Sequence, residues 1–385
     1  MKALSFHGSG LEYFKIWIVN ILLTVITLGF YYPWAKVRRN RYFYGNTALE
    51  DRNFEYHATG KQLFLSYLIA LALFIVYVFV SQIFPPLGAL FFLALFVLIP
   101  WVIVRSMMFN MRMTSFSNVR FSFNKDFLSA YLNFLLFPIA FFIGMIVVIM
   151  INAELFALHP IAGVLGIVGL FTFFIFTFAF FKKRHSQFYI NNINFGEGKF
   201  TSALKIKELM KISLKTMGVG LLLTLGLFII IGLGVYGTIG LETLQSTLSN
   251  VQTNSPRSNE LVGILIMLVY GGMLLVMVAT MAYSFALNRA YIYKNTLLDD
   301  KISFASTLQA LPFMWVVLSN FFLIIFTLGL AAPWAKVRVV KIVVSNTLVD
   351  APEGFDTYIS QAQAQTSALG DQIGDAFDVD IGLGM

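Results

Sequence analysis

Eight apolar runs of bilayer length restrict this chain more than any motif in it. They lie near residues 14-34, 62-84, 87-108, 128-151, 157-181, 216-240, 261-287 and 312-334. A hydrocarbon core about 30 Å thick takes about 20 residues of helix to cross. Inside it every backbone N–H and C=O needs a partner in its own segment, and these runs lack the alternation of outer-membrane barrel strands, so they are helices. With 58% hydrophobic and 12% charged residues among 385, the chain falls outside the soluble globular range. The expected fold class is an all-α polytopic integral membrane protein: six to eight membrane helices with internal repeats and small cytoplasmic β-hairpins. Residues 1-349 form the membrane domain of repeated helix-elbow units, and 350-385 an acidic C-terminal tail.

The charges suggest an orientation. All 27 Lys and Arg precede Ile342, whereas Asp350 to Met385 holds seven acids and no base. Basic residues gather after the first run, between the third and fourth, from Lys182 to Lys215, from Arg289 to Lys301, and at Lys336, Arg338 and Lys341. The alternate connections hold one base, Arg257. Bases flanking apolar spans mark the cytoplasmic side and make nucleic acid the poorer partner. There is no cysteine, hence no disulfide or thiol chemistry. The first run lacks a small-residue cleavage site and is expected to remain in the protein.

A repeat complicates this topology. "TLGFYYPWAKVR" (Thr27 to Arg38) returns as "TLGLAAPWAKVR" (Thr327 to Arg338), and "FHGSGLEYF" (Phe6 to Phe14) is like "YHATGKQLF" (Tyr56 to Phe64). If all eight runs cross, the two PWAKVR copies fall on opposite sides. Terminal runs bent at Thr27-Leu28-Gly29 and Thr327-Leu328-Gly329 into re-entrant pairs would keep both copies on one side. Both topologies are compatible with the sequence. Three further elbows, at Pro100 to Phe123, Lys182 to Phe195 and Arg289 to Phe304, share one plan: a helix end, a basic and aromatic run, Asn, then a short β-prone stretch. Repetition of this kind governs a whole fold.

The set "FHGSGLEYF", "TLGFYYPWAKVR", "NTALEDRNFEYHATGKQLF" and a tail ending "DAFDVDIGLGM" resembles the YjgN-like family of bacterial inner-membrane proteins over nearly the whole chain. The resemblance implies a multi-pass protein of a bacterial inner (cytoplasmic) membrane. It carries over no catalytic or binding residue.

Candidate interfacial or headgroup-binding residues are Trp34, Lys36, Arg38, Arg41, Trp101, Arg105, Arg184, Arg289, Trp334, Lys336 and Arg338, since indoles anchor at the interface and guanidinium forks match phosphate. The bland alternative is an aromatic belt with snorkelling bases. Asn20 and Asn320 are candidate intramembrane polar residues, reading either as interhelical hydrogen bonds or as a cavity-lining pair. The glycines from Gly218 to Gly240 and at Gly163, Gly166 and Gly169 read as close helix packing. In the tail, Ile359, Ala362, Thr366, Leu369 and Ile373 suggest an amphipathic helix, and the alternating "FDVDIGLGM" (Phe377 to Met385) a strand pairing with a hairpin edge.

No HExxH, Walker loop or GxSxG elbow occurs, so no enzyme, cofactor or metal is expected. The functions expected are a transporter or channel-like conduit for a small or amphipathic solute, or a membrane scaffold or sensor whose basic cytoplasmic face docks anionic lipid or a cytosolic partner. The absence of deep carboxylates counts against an ion-coupled carrier. The partners expected are the bilayer and anionic lipid headgroups.

Overall fold

The structure is a computed structural model and describes residues 1–239, 256–352, 354 and 357–364. Short strands alternate with helical pairs. After β1 (Lys2–Ala3) and β2 (Ser5–Phe6) come α1 (Gly10–Ile26) and α2 (Tyr32–Gly45), then β3 (Thr47–Leu49) and β4 (Arg52–Tyr56). The second pair, α3 (Gly60–Ile83) and α4 (Pro85–Arg112), leads to β5 (Thr114–Phe116) and β6 (Val119–Phe123). The third comprises α5 (Phe127–Tyr131), a π-helical turn at Leu132–Leu136, α6 (Phe137–Leu158) and α7 (Pro160–Asn191), followed by β7 (Ile193–Phe195) and β8 (Gly198–Ser202). The fourth is α8 (Ile206–Ile239) with α9 (Pro256–Lys294), then β9 (Thr296–Leu298) and β10 (Ile302–Ser306). The fifth, α10 (Ala310–Phe326) and α11 (Ala332–Ser345), ends in β11 (Thr347–Asp350).

The elbow sequence explains the switch from helix to strand. The amides of Asn46, Asn192, Asn295 and Asn346 each donate to the carbonyl four residues earlier. The hydroxyls of Thr47, Thr114, Thr296 and Thr347 do the same. These side chains satisfy last-turn carbonyls while the backbone leaves the helix. The turns between strands take positive φ at Glu50 and Asp51 (52° and 60°), Ser117 and Asn118 (48° and 65°), and Asp299 and Asp300 (52° and 54°), the type I′ geometry that suits a twisted hairpin.

The expectation of small hairpins is corrected: all strands among the described residues join one eleven-stranded sheet. Its order is β1-β11-β10-β9-β8-β7-β6-β5-β4-β3-β2. Lys2 pairs with Val349 of the last strand, and Phe6 pairs with Thr47 of β3. One N-terminal segment therefore bridges both ends, and the sheet closes into a barrel. A lone hairpin leaves bare edges and is marginally stable, whereas closure satisfies every edge. Between Asp350 and Met1, where a fifth turn would stand, the α-amino group pairs with Asp350 at 3.2 Å; Lys2 pairs with Glu50.

Side chains from every strand pair line the barrel interior in two tiers. First strands give Leu49, Phe116, Phe195, Leu298 and Val349; second strands give Phe54, Phe121, Phe200 and Phe304, with Leu4 in the equivalent place between β1 and β2. The other packed clusters lie where helices meet the sheet, as Val104, Met108, Phe123, Ala130 and Phe188 do.

Among the described residues six helices are long and apolar enough to cross a membrane, within Gly60–Ile83, Pro85–Arg112, Phe127–Leu158, Pro160–Asn191, Ile206–Gly237 and Val262–Lys294. The apolar stretch of the first has none of its residues buried. The accessible surface of 23722 Å² far exceeds the roughly 15,000 Å² of a soluble protein of this mass. These helices present apolar sides to lipid, and the protein's own core is confined to the barrel and its collar.

The first and last apolar runs are broken. Leu28 and Gly29 take φ of 49° and 93°, and Leu328 and Gly329 take 51° and 90°. Thr27 and Thr327 each accept from the amide four residues on, at 2.9 and 3.0 Å. The TLG motif thus ends one helix in a left-handed cap, where glycine costs least, and starts the next. Each run folds back toward the sheet instead of continuing through residue 34 or 334.

Candidate functional site

The two PWAKVR copies and the two "HxxG" stretches prove to be halves of one joint. Trp34 packs against Gly60, and Trp334 against Gly10, so closely that neither glycine has room for a Cβ. Phe64 adds to the first joint and Phe14 to the second, with ring centroids 5.1 and 4.8 Å away. Gly10 and Gly60 follow Ser9 and Thr59, which complete capping boxes with Glu12 and Gln62, worth on the order of 1 kcal/mol each. Arg41 donates to the Ala58 carbonyl at 2.9 Å in the same joint. Arg38 donates to the Tyr31 hydroxyl at 3.2 Å, whereas Arg338 reaches Ser319 and the Asn320 amide oxygen at 3.0 and 3.3 Å.

The remaining candidates are dispersed around the ring. Arg105 lies over Trp101 at 5.3 Å, and Arg184 over Phe137 at 5.0 Å. Arg289 stacks on Tyr293 at 4.0 Å and donates to the Thr347 hydroxyl at 2.7 Å. Asn20 and Asn320 donate to the carbonyls of Ala35 and Ala335 at 3.4 and 3.2 Å, the interhelical reading. The glycine reading holds for Gly163 and Gly166, which meet Phe156 and Asn152. It fails for Gly169, Gly218, Gly226, Gly232, Gly234 and Gly237, where a Cβ would meet nothing within 4 Å.

An inner face emerges that the candidate set covered incompletely. Lys336 on α11 stands 5.0 Å from the Phe43 ring of α2 and 6.0 Å from the Tyr13 ring of α1. Arg39 lies one turn before Phe43 on α2. Enclosure by neighbouring protein, and secondly the charge of Arg39, lower the Lys336 pKa from the ordinary lysine value. Burial raises the Tyr56 phenol pKa, opposed in part by Arg39. Tyr189 of α7 and Tyr293 of α9 line one cavity, and Tyr44 of α2 stacks on Tyr56 with ring centroids 5.6 Å apart. Arg39 was legible only by helical register, since the tandem Arg38–Arg39 puts its two charges on different faces.

Above this face aromatic tiers narrow the barrel without filling it. A cavity of about 220 Å³ runs among its two tiers, and one of about 350 Å³ lies beside Tyr189, Tyr293 and Thr296; both share Phe200, Phe304 and Tyr293. A helix in the tail (357–364) covers the far mouth. Ile359 is 2% exposed and packs with Ala362 into the barrel core. Tyr358 donates to Asp299 at 2.6 Å, Asp299 accepts also from the Lys199 amide at 2.8 Å, and Gln363 donates to the Ser117 carbonyl at 2.6 Å. Burial first, then the bond to Asp299, raises the Tyr358 pKa. The amphipathic reading thus holds at Ile359 and Ala362; Thr366, Leu369, Ile373 and the strand expected at Phe377 to Met385 lie outside the described residues. Among the described residues no group of three or more His, Cys, Asp or Glu could hold a metal ion.

Six spanning-length helices crowned by a closed barrel define a multi-pass membrane protein of repeated strand–helix–helix–strand units. A model of bacterial proteins of unknown function, DUF898, matches residues 1–376, and the chain belongs to that family. It is 30% identical over 354 residues to the inner membrane protein YjgN of Salmonella typhimurium, covering 90% of this chain and 88% of that protein. It is 32% identical over 216 residues to inner membrane protein YjgN of Escherichia coli O157:H7, covering 54% of each. No solved structure matches. The protein is a multi-pass inner membrane protein.

Proposed function

We propose that this protein binds anionic phospholipid at the inner face of its helix ring and acts as a membrane scaffold or sensor, with barrel and elbows on the cytoplasmic side. The observation that carries this reading is the contrast along the axis: a barrel narrowed by its own aromatic tiers and covered by the tail helix, above basic side chains set against aromatic rings. Among the described residues no carboxylate comes within 4.0 Å of Arg39 or Lys336. Unpaired cations at membrane level call for an anion, and the anion most abundant there is a lipid phosphate.

The conduit reading draws less support. Asn20 and Asn320 are committed to partner-helix carbonyls, and neither lines the two cavities beneath or within the barrel. The test is native mass spectrometry of the detergent-purified protein mixed with phosphatidylglycerol and phosphatidylethanolamine. Preferential retention of phosphatidylglycerol supports lipid binding; equal loss of both lipids refutes it. Solute flux through reconstituted protein would favour the conduit.

A further inference from the structure

The ring of helical pairs is not uniform in depth. The two short pairs, α1–α2 and α10–α11, have helices of 17 and 14 residues. They stand side by side because β11 and β3 meet through the N-terminal strand. Their tips carry exposed apolar residues, Leu28 at 88% and Leu328 at 94%. The first tip ends beside Tyr67, whose ring lies 6.4 Å from that of Phe30. From Tyr67, α3 continues to Ile83, a further rise of about 24 Å. The long pairs therefore descend well beyond the short ones, and the short helices themselves leave the sector beneath their tips uncovered.

Directly above that sector are Arg39 and Lys336. Trp34 packs at Gly60, the start of α3, and Arg39 lies five positions beyond Trp34 toward the sheet, about 7.5 Å further along the helix. That is headgroup depth, one step above the apolar span. Phe43 sits under the Lys336 ammonium and one turn from Arg39 on the same helix face. Helical register thus puts Arg39 next to the aromatic floor over which Lys336 stands, and neither cation has an acid within ion-pair distance among the described residues.

We infer that Arg39 and Lys336 together hold the phosphate of an anionic phospholipid that reaches them laterally, beneath the two short helical pairs. A guanidinium supplies a two-pronged donor and an ammonium a point charge, and one phosphate can accept from both. The acyl chains then occupy the sector below, against the apolar sides that the short pairs leave uncovered. This site rests on the lipid-binding function proposed above and specifies where it resides.

Full-length wild type, R39Q/K336Q and the charge-preserving R39K/K336R are purified in detergent and compared by native mass spectrometry with phosphatidylglycerol, phosphatidylethanolamine and inorganic phosphate. R38Q/R338Q, changing the other face of the same two helices, serves as the control. The expected result is tenfold or greater loss of bound phosphatidylglycerol in R39Q/K336Q alone, retention in R39K/K336R, and no displacement by millimolar phosphate. Equal retention by R39Q/K336Q with an unchanged melting temperature overturns the site while leaving the lipid-binding function intact. If wild type shows no lipid preference, the function itself fails. Displacement by free phosphate overturns the lipid as the source of the anion.

Discussion

The indole of Trp34 occupies the space in which a side chain on Gly60 would begin. Trp334 and Gly10 repeat the relationship one unit back in the ring. Gly60→Val is expected to destabilise the protein by roughly 1–3 kcal/mol through overpacking. The double variant W34A/G60V is expected to recover part of that loss, because the two residues share one contact. Melting temperatures in detergent check this; strictly additive losses would show that the indole and the glycine do not meet.

Asn20 and Asn320 occupy matching places with different satisfaction. The Asn320 oxygen accepts from Arg338 at 3.3 Å, whereas the Asn20 oxygen is buried without a partner. Asn320→Leu is expected to cost about 1 kcal/mol or more, while Asn20→Leu costs less because it also removes an unsatisfied acceptor. Thermal unfolding of the two variants, compared side by side, reads the difference, and equal losses would refute the asymmetry.

Docking of the tail helix is expected to weaken in alkali. The Tyr358 pKa in the docked state lies above its ordinary value of 10.0. The undocked state therefore loses its proton first as pH rises past about 10, so docking, fully present below that pH, declines above it. In the cysteine-free chain, Ala362→Cys provides a buried reporter and Ser360→Cys an exposed control. The ratio of their maleimide labelling rates is expected to rise above pH 10, and about tenfold at pH 7 when Tyr358→Phe is added. A ratio indifferent to both changes would mean the tail does not cover the barrel.

Removing residues 2–6 is expected to leave β3 and β11 as bare edges and to abolish monodisperse protein, because the strand that closes the ring is lost. Size-exclusion profiles check this. A stable monomer of the deleted chain would contradict closure.

Much of this architecture was legible in the chain itself. Bilayer-length apolar runs dictated helices, since hydrocarbon offers the backbone no partner, and an Asn or a Thr at each elbow marked the passage from helix to strand. The TLG motif named its bend, because a left-handed cap favours glycine. What remained illegible was long-range. Nothing local in Lys2 to Phe6 says that it pairs with Thr347 to Asp350 at one end and Thr47 to Leu49 at the other, so the elbows read as small hairpins and not as one closed sheet. Nothing in PWAKVR says that its tryptophan needs a glycine in another unit, or that Arg39 and Lys336 share Phe43. Local backbone and solvent preferences are written residue by residue; closure of the ring, and the convergence of charges on its inner face, arise from contacts between segments hundreds of residues apart and were decided only in the tertiary structure.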